Sequence, residues 1–220
     1  MHEYGMGRLP SPPDKRDYLM ADAVRVLDKI GAPRPVKTWH SDRVLDQKST
    51  QRCVGYSWSA WGISTPVEDA WNNAMGDSIY AACKIIDREP GAENGSTVRS
   101  GAKVMQARKK LATYYFARSI DEAADYVARY GPVVLGTEWY TGMYTPNAAG
   151  IMRPTGKLSG GHAYLWIGVD KTYATIRNSW SEKWGKGGDA RILLTDLKRL
   201  FEAGGEACSA SELPILIGVK

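Results

Sequence analysis

Phenylalanine is nearly missing from this chain, histidine and cysteine are scarce, and long apolar runs do not occur. Only three histidines are present in 220 residues, so imidazole chemistry has few places to sit. The three cysteines, Cys53, Cys83 and Cys208, cannot all pair within one chain, and their wide spacing forms no metal-ligand cluster. That argues against a disulfide scaffold and against a cysteine-based metal site, and no metal or other cofactor is expected. No stretch approaches the roughly 18 apolar residues that a membrane span needs, and Met1-His2-Glu3-Tyr4-Gly5 lacks the layout of a secretory leader. The expectation is a cytoplasmic protein, or a virion-associated one if its source is viral, with no membrane partner. A basic block is missing too. The net charge of +5 comes from 29 basic and 24 acidic residues scattered along the chain, which speaks against nucleic acid as a partner.

What is present suits a single globular unit of one or two small lobes. An apolar fraction of 43% and a charged fraction of 24% are ordinary, and the length suffices to bury a core without staples. Eight Trp and twelve Tyr against two Phe favour half-buried surfaces and clefts, where a ring packs on one side and its polar tip reaches out. Cys83, within Ile79-Tyr80-Ala81-Ala82-Cys83-Lys84-Ile85-Ile86, reads as a small buried apolar residue.

The first 37 residues are rich in proline and read as a strap laid over a core, with a short helical pattern from Ala23 to Ile30. Helices are expected from Cys53 to a break before Pro66, over about Val67 to Asp87, over about Ser100 to Leu111, and from Asp121 to Tyr130 with Ser119 as N-cap. After Gly131-Pro132 the pattern turns to short apolar runs: Val133 to Leu135, Ala163 to Val169, Tyr173 to Arg177 and Ala190 to Leu194. A last helix, Thr195 to Ala203, leads to a closing strand, Leu213 to Val219. Helices first and strands later make an α+β layout.

Thiol catalysis needs a cysteine, a base in reach, a group that orients the base, and donors for the developing oxyanion. His2 lies at the terminus and His40 in a polar loop. His162 instead follows Ser159-Gly160-Gly161 and opens the apolar run Ala163-Tyr164-Leu165-Trp166-Ile167. A histidine at the mouth of a strand, behind glycines that admit a second backbone, is a natural reacting group, although a satisfied core histidine would look the same in isolation.

The segment Asp46-Gln47-Lys48-Ser49-Thr50-Gln51-Arg52-Cys53-Val54-Gly55-Tyr56-Ser57 resembles the nucleophile segment of papain-family cysteine peptidases, with Gln47 six residues before Cys53. Gly160-Gly161-His162-Ala163 is similar to that family's His-Ala motif. Arg177-Asn178-Ser179-Trp180-Ser181-Glu182-Lys183-Trp184-Gly185 is similar to its Asn-Ser-Trp signature, and Pro13-Asp14-Lys15-Arg16-Asp17-Tyr18 to the opening segment of its prokaryotic and viral members. The resemblance implies a two-lobe α+β fold with the site in the cleft. A helical lobe of about residues 38–118 would carry Cys53, and a strand-rich, antiparallel barrel-like lobe from about 119 to 220 would carry His162 and Asn178.

By the same resemblance Cys53 is the nucleophile, His162 its base, Asn178 the orienter of that base, with Trp180 shielding their bond, and Gln47 an oxyanion donor. A thiolate–imidazolium pair is expected from the helix start and from His162. Gly136, Gly161, Ala163 and Trp180 are expected to touch a polypeptide substrate, with Gly136 and Ala163 walling a deep pocket for a bulky apolar side chain. Lys48 and Ser181 stand where the family usually has glycine, and Arg52 beside Cys53 could favour the thiolate or narrow access. The region before Pro35 is too short for the family's long inhibitory pro-segment, so restraint by a protein partner or assembly is an expectation. The implied activity is hydrolysis of peptide or isopeptide bonds. The motifs equally allow an amidase or acyltransferase on a non-protein amide, or an idle structural module.

Overall fold

The structure, a computed structural model, describes residues 4–15, 17–20 and 34–211. The expected helix Ala23 to Ile30 and strand Leu213 to Val219 lie outside the described residues, as does Arg16.

Helix α1 (Cys53–Ile63) has all eleven of its residues buried. Such a helix gains little from an amphipathic pattern and is held by packing on every side. Helix α2 (Asn73–Ile86) crosses it where Gly55 meets Gly76, and a Cβ on Gly55 would run into the Gly76 carbonyl and lie 2.7 Å from the Tyr80 nitrogen. Helix α3 (Val98–Ala107) closes the other flank, with the Trp58 indole N–H donating to the Val98 carbonyl at 3.0 Å. The ring of Trp58 also stands edge-on to Trp61, 5.8 Å away. Residues 67–72, expected to be helical, are not, because the Asn72 side chain caps Ala74 and starts α2 there. Likewise Thr97 caps Ser100 and starts α3 two residues early.

The strands are β1 (Arg8–Leu9), β2 (Tyr18–Leu19), β3 (Lys37–Thr38), β4 (Ser96–Thr97), β5 (Thr113–Phe116), β6 (Val133–Tyr140), β7 (Leu158–Val169), β8 (Tyr173–Arg177), β9 (Asp189–Leu193) and β10 (Glu206–Ser211). Most form one sheet in the order β2-β5-β10-β6-β7-β8-β9, with β3 also on β7, while β1 pairs with β4 in parallel. Neither β5 nor β10 was expected. Glu206-Ala207-Cys208-Ser209-Ala210-Ser211 has no β-branched residue, and its conformation comes from pairing with β5 on one side and β6 on the other.

Side chains alternate across this sheet. Val133, Leu135, Tyr164, Trp166 and Ala207 enter one core with α4 (Ile120–Arg129) and α5 (Leu194–Glu202). Val134, Ala163, Leu165 and Cys208 enter a second core with α1 and α3. Ser119 caps α4 as expected, accepting from the Glu122 N–H at 3.2 Å. The observed layout is α+β, and α1 and β7 meet along a line that runs from Cys53 to Ala163. Because α1 has no free face, Gly55→Val should cost about 1–3 kcal/mol through overpacking against α2, seen as a fall of several degrees in thermal midpoint. An unchanged midpoint would mean that the α1–α2 crossing is looser than described.

Candidate active site

Cys53 is the first residue of α1. No acidic residue lies in the first turn, and Arg52, the N-cap residue, makes no side-chain capping bond, so the positive end of the helix is left for the thiol. On the facing strand the Ala163 N–H points at the Cys53 sulfur, 3.4 Å away, so the backbone of the residue that follows His162 lies against the thiol. His162 Nε2 lies 2.8 Å from Asn178 Oδ1. That oxygen also accepts from the Ser179 N–H at 2.8 Å. A backbone N–H can only donate, so the atom it faces is the carbonyl oxygen of Asn178, and Nε2 of the histidine must be the protonated nitrogen. Nδ1 is left as the basic nitrogen, buried and without a hydrogen-bond partner.

The loop that carries Asn178 is docked on the segment that carries Gln47. Arg177 donates to the carbonyls of Ser41 and Arg43, Gln47 N–H donates to Ser179 O at 2.9 Å, and Ser181 N–H donates to Leu45 O at 3.0 Å. The Ser179 hydroxyl donates to Gln47 Oε1 at 2.7 Å, which turns the amide nitrogen of Gln47 the other way. Ser179 thus orients both amides, a role its place in the Asn-Ser-Trp motif alone did not disclose. Trp180 lies against His162 at 4.5 Å with its plane nearly parallel, and Trp139 meets the same ring edge-on at 4.9 Å. Together they exclude water from the histidine–asparagine bond.

Two departures from glycine become intelligible here. Lys48 and Ser181 both adopt positive φ, 56° and 64°, the left-handed region that costs a side-chain-bearing residue about 1 kcal/mol or more. The chain keeps the glycine conformation without the glycine. Arg52 is turned from the thiol, paired with Asp77 at 2.8 Å and with Glu93, so it neither stabilises a thiolate nor narrows the approach.

The strap is the largest surprise. Residues 4–9 run through the site rather than beside it. Gly7 N–H donates to Gly161 O at 3.1 Å, its carbonyl accepts from the Ser96 N–H at 2.8 Å, and Gly5 N–H donates to Lys48 O at 2.9 Å. The Gly5 carbonyl receives both the Gln47 side-chain N–H at 3.2 Å and the Trp180 indole N–H at 3.1 Å. Tyr4 stacks on Trp180 at 4.7 Å. Residues 4–9 of the chain itself thus cover groups expected to meet substrate. An open depression of about 420 Å³ is lined by residues 4–9 together with Ser49, Gln51, Tyr144 and Gly161.

Closure changes the electrostatics. Cys53 and His162 are both 0% exposed. Burial pushes the Cys53 thiol up to about 12, against the opposing N–H groups of Ala163 and Val54 and the charge of Arg8. Burial pulls His162 down to about 4, with the Asn178 bond acting the other way. Burial thus opposes charge on both groups while the strap is in place, and so works against the expected thiolate–imidazolium pair. Cys83 and Cys208 are buried free thiols raised by the same cause.

Of the expected substrate contacts, Gly161 is taken by the Arg8 backbone, and Gly136 and Ala163 are cross-strand partners. The space above Gly136, expected to receive a bulky apolar side chain of substrate, is already occupied in the closed form. The Arg8 side chain lies in it, with Nε 2.9 Å from where a Cβ on Gly136 would sit, and ends on Glu206 at 2.5 Å.

A family model for the papain family cysteine proteases matches residues 88–200, just over half of the chain and including His162 and Asn178 but not Cys53 or Gln47. No curated protein gives a match. Among solved structures, xylellain, a cysteine protease from Xylella fastidiosa, superposes with a TM-score of 0.73 at 19% identity, covering 97% of this chain and 99% of that one. Procathepsin B S9 from Trypanosoma congolense gives 0.66 at 12% identity over 94% and 85%, and bromelain from Ananas comosus 0.61 at 13% over 82% and 99%.

A raised thiol pKa keeps Cys53 protonated from pH 5 to 8 while the site is closed, and exposure returns it toward its ordinary range. Cys53 should therefore resist iodoacetamide at pH 7 in the intact chain. Gly7→Val, which cannot hold a φ of 121° and would strike Gln51, should speed labelling about 100-fold or more. Equal rates in the two proteins would show that the strap does not gate the thiol.

Proposed function

The chain belongs to the papain family of cysteine proteases, and on that premise we propose that it hydrolyses peptide bonds through Cys53, with the helical lobe of about residues 38–118 presenting the thiol to His162 and Asn178 of the strand-rich lobe. The observation that carries this reading is the tautomer: Asn178 and Ser179 together leave His162 Nδ1 as a free base, on the residue that precedes the Ala163 N–H facing the Cys53 sulfur.

In the proposed cycle, displacement of the strap lets water and substrate in, and the thiol proton passes to His162 Nδ1. The sulfur attacks the scissile carbonyl carbon, and the carbonyl electron pair moves to oxygen. That oxyanion is met by the Gln47 side-chain N–H, which in the closed form donates to the Gly5 carbonyl, and by the Cys53 backbone N–H. Collapse breaks the C–N bond as His162 returns its proton to the departing amine, leaving a thioester. Water, deprotonated by the same nitrogen, then attacks the thioester and frees the acid and the thiol. Asn178 holds the imidazole plane throughout and disperses the charge that forms on it.

Complete burial favours the second reading, an idle module. The strap accounts for that burial by hydrogen bonds that end on the functional groups themselves, which supports a closed enzyme over a dead one. In the Gly7→Val background, unfolded protein substrates should be cleaved. Cys53→Ala should abolish cleavage with the fold retained, and Gln47→Ala should lower kcat about 100- to 1,000-fold. Wild-type turnover in the Cys53 variant would remove this reading.

A further inference from the structure

The imidazole of His162 is held by one hydrogen bond, from Nε2 to Asn178 Oδ1 at 2.8 Å, while Nδ1 has no partner. A single bond at one corner of a ring leaves its tilt open. It also permits a half-turn of the ring, which would exchange the two nitrogens. Packing has to prevent both motions, and two indoles supply it. Trp180 lies along the imidazole at 4.5 Å with the planes 26° apart, and Trp139 stands across it at 4.9 Å and 74°. The indoles are themselves 82° apart, so they block different motions of the ring between them.

The two differ in what holds them. Trp180 belongs to the Asn-Ser-Trp motif and is tied to the strap, since its N–H donates to the Gly5 carbonyl and Tyr4 stacks on it. Both contacts are lost when the strap leaves. Trp139 belongs to none of the motifs and is fully buried on β6. Its other ring neighbours are Tyr164 at 5.5 Å, Tyr144 at 6.3 Å and Trp184 at 6.4 Å, none of them a strap residue. Its indole N–H has no hydrogen-bond partner, so the ring is placed by shape alone.

The backbone makes room for that shape. The residue opposite Trp139 on β7 is Gly160, at a φ of 144°, so no side chain stands between the indole and the imidazole two residues on. The register of β6 on β7 also shifts between Trp139 and Tyr140, an irregularity of the kind that re-aims a side chain beside a site.

We propose that Trp139 is the positioning residue of the base: edge-on to His162 whether the strap is in place or displaced, it keeps Nε2 on Asn178 and Nδ1 as the basic nitrogen once the contacts that steady Trp180 have gone. The proposal rests on the peptidase reading for its kinetic consequence, but the state of the ring is read without turnover.

The test is nitrogen NMR of the full-length chain carrying isotope-labelled histidine, with the His162 signals assigned from a His162→Gln variant. The unaltered chain should show Nε2 protonated and Nδ1 bare. Trp139→Leu, or Trp139→Met if the first does not fold, should show the two tautomers interconverting, with the Nε2 proton exchanging about 3- to 10-fold faster, whereas Trp139→Phe should keep the original signals. Trp184→Leu removes an indole from the same cluster whose ring contacts are to Trp139 and Trp180, and should leave the His162 signals unchanged. In the Gly7→Val background Trp139→Leu should lower kcat about 3- to 10-fold with KM held within about twofold, and Trp139→Phe should recover most of the loss. An unchanged tautomer and exchange rate in the folded Trp139 variant, an equal disturbance by Trp184→Leu, or a change confined to KM overturns the assignment. Absence of turnover in Gly7→Val itself would sink the peptidase proposal and leave the NMR result to decide this one.

Discussion

Everything at this site depends on one docking contact, the pairing of residues 41–47 with residues 177–181. The nucleophile comes from the start of a helix and the base from a strand more than a hundred residues later. Only this contact fixes Gln47 and Asn178 in one frame. Ser179 is its hinge pin. One backbone N–H and one hydroxyl from this residue decide which way two amides face, and through Asn178 they decide which nitrogen of His162 is basic. The strained backbone at Lys48 and Ser181, one on each side of the contact, is the cost of holding the two segments so closely.

Onto that frame the strap adds a second layer of control. Its carbonyls and N–H groups end on the groups that would otherwise meet substrate: Gln47, Trp180 and Gly161. Each is satisfied in the closed form, so the burial of a functional site leaves few polar groups orphaned beyond the imidazole nitrogen and the asparagine amide. Closure also removes water, and with it the means to separate charge between sulfur and imidazole. The same few hydrogen bonds thus cover the site and, through burial, oppose charge on the reacting pair.

Much of this was legible from residue order. Cys53 at a helix start, Ser119 as a cap and the Tyr173–Arg177 strand follow from local pattern, and the structure has each of them, whereas His162, expected at the mouth of its strand, lies inside β7, which begins at Leu158. What was not legible is what depends on distant pairing. β10 is a run of small and polar residues that becomes a central strand only because β5 and β6 flank it. Glu206 at its start belongs to no motif, and nothing local ties it to Arg8, almost two hundred residues earlier. The burial that opposes a charge on Cys53 was not legible either, since its helix and its histidine are local or motif-borne facts while its burial depends on distant packing, to which residues 4–9 contribute.

The central claim is that Cys53 is the reacting thiol and the strap its cover. The most direct measurement is intact-mass and peptide mapping after exposure to a mechanism-based epoxide of the kind that alkylates papain-type thiols. The intact chain should stay unmodified or react slowly, whereas Gly7→Val should take up one equivalent on Cys53, with Cys83 and Cys208 untouched. An adduct on another cysteine, or none on Cys53 in a folded Gly7→Val protein, would contradict the account.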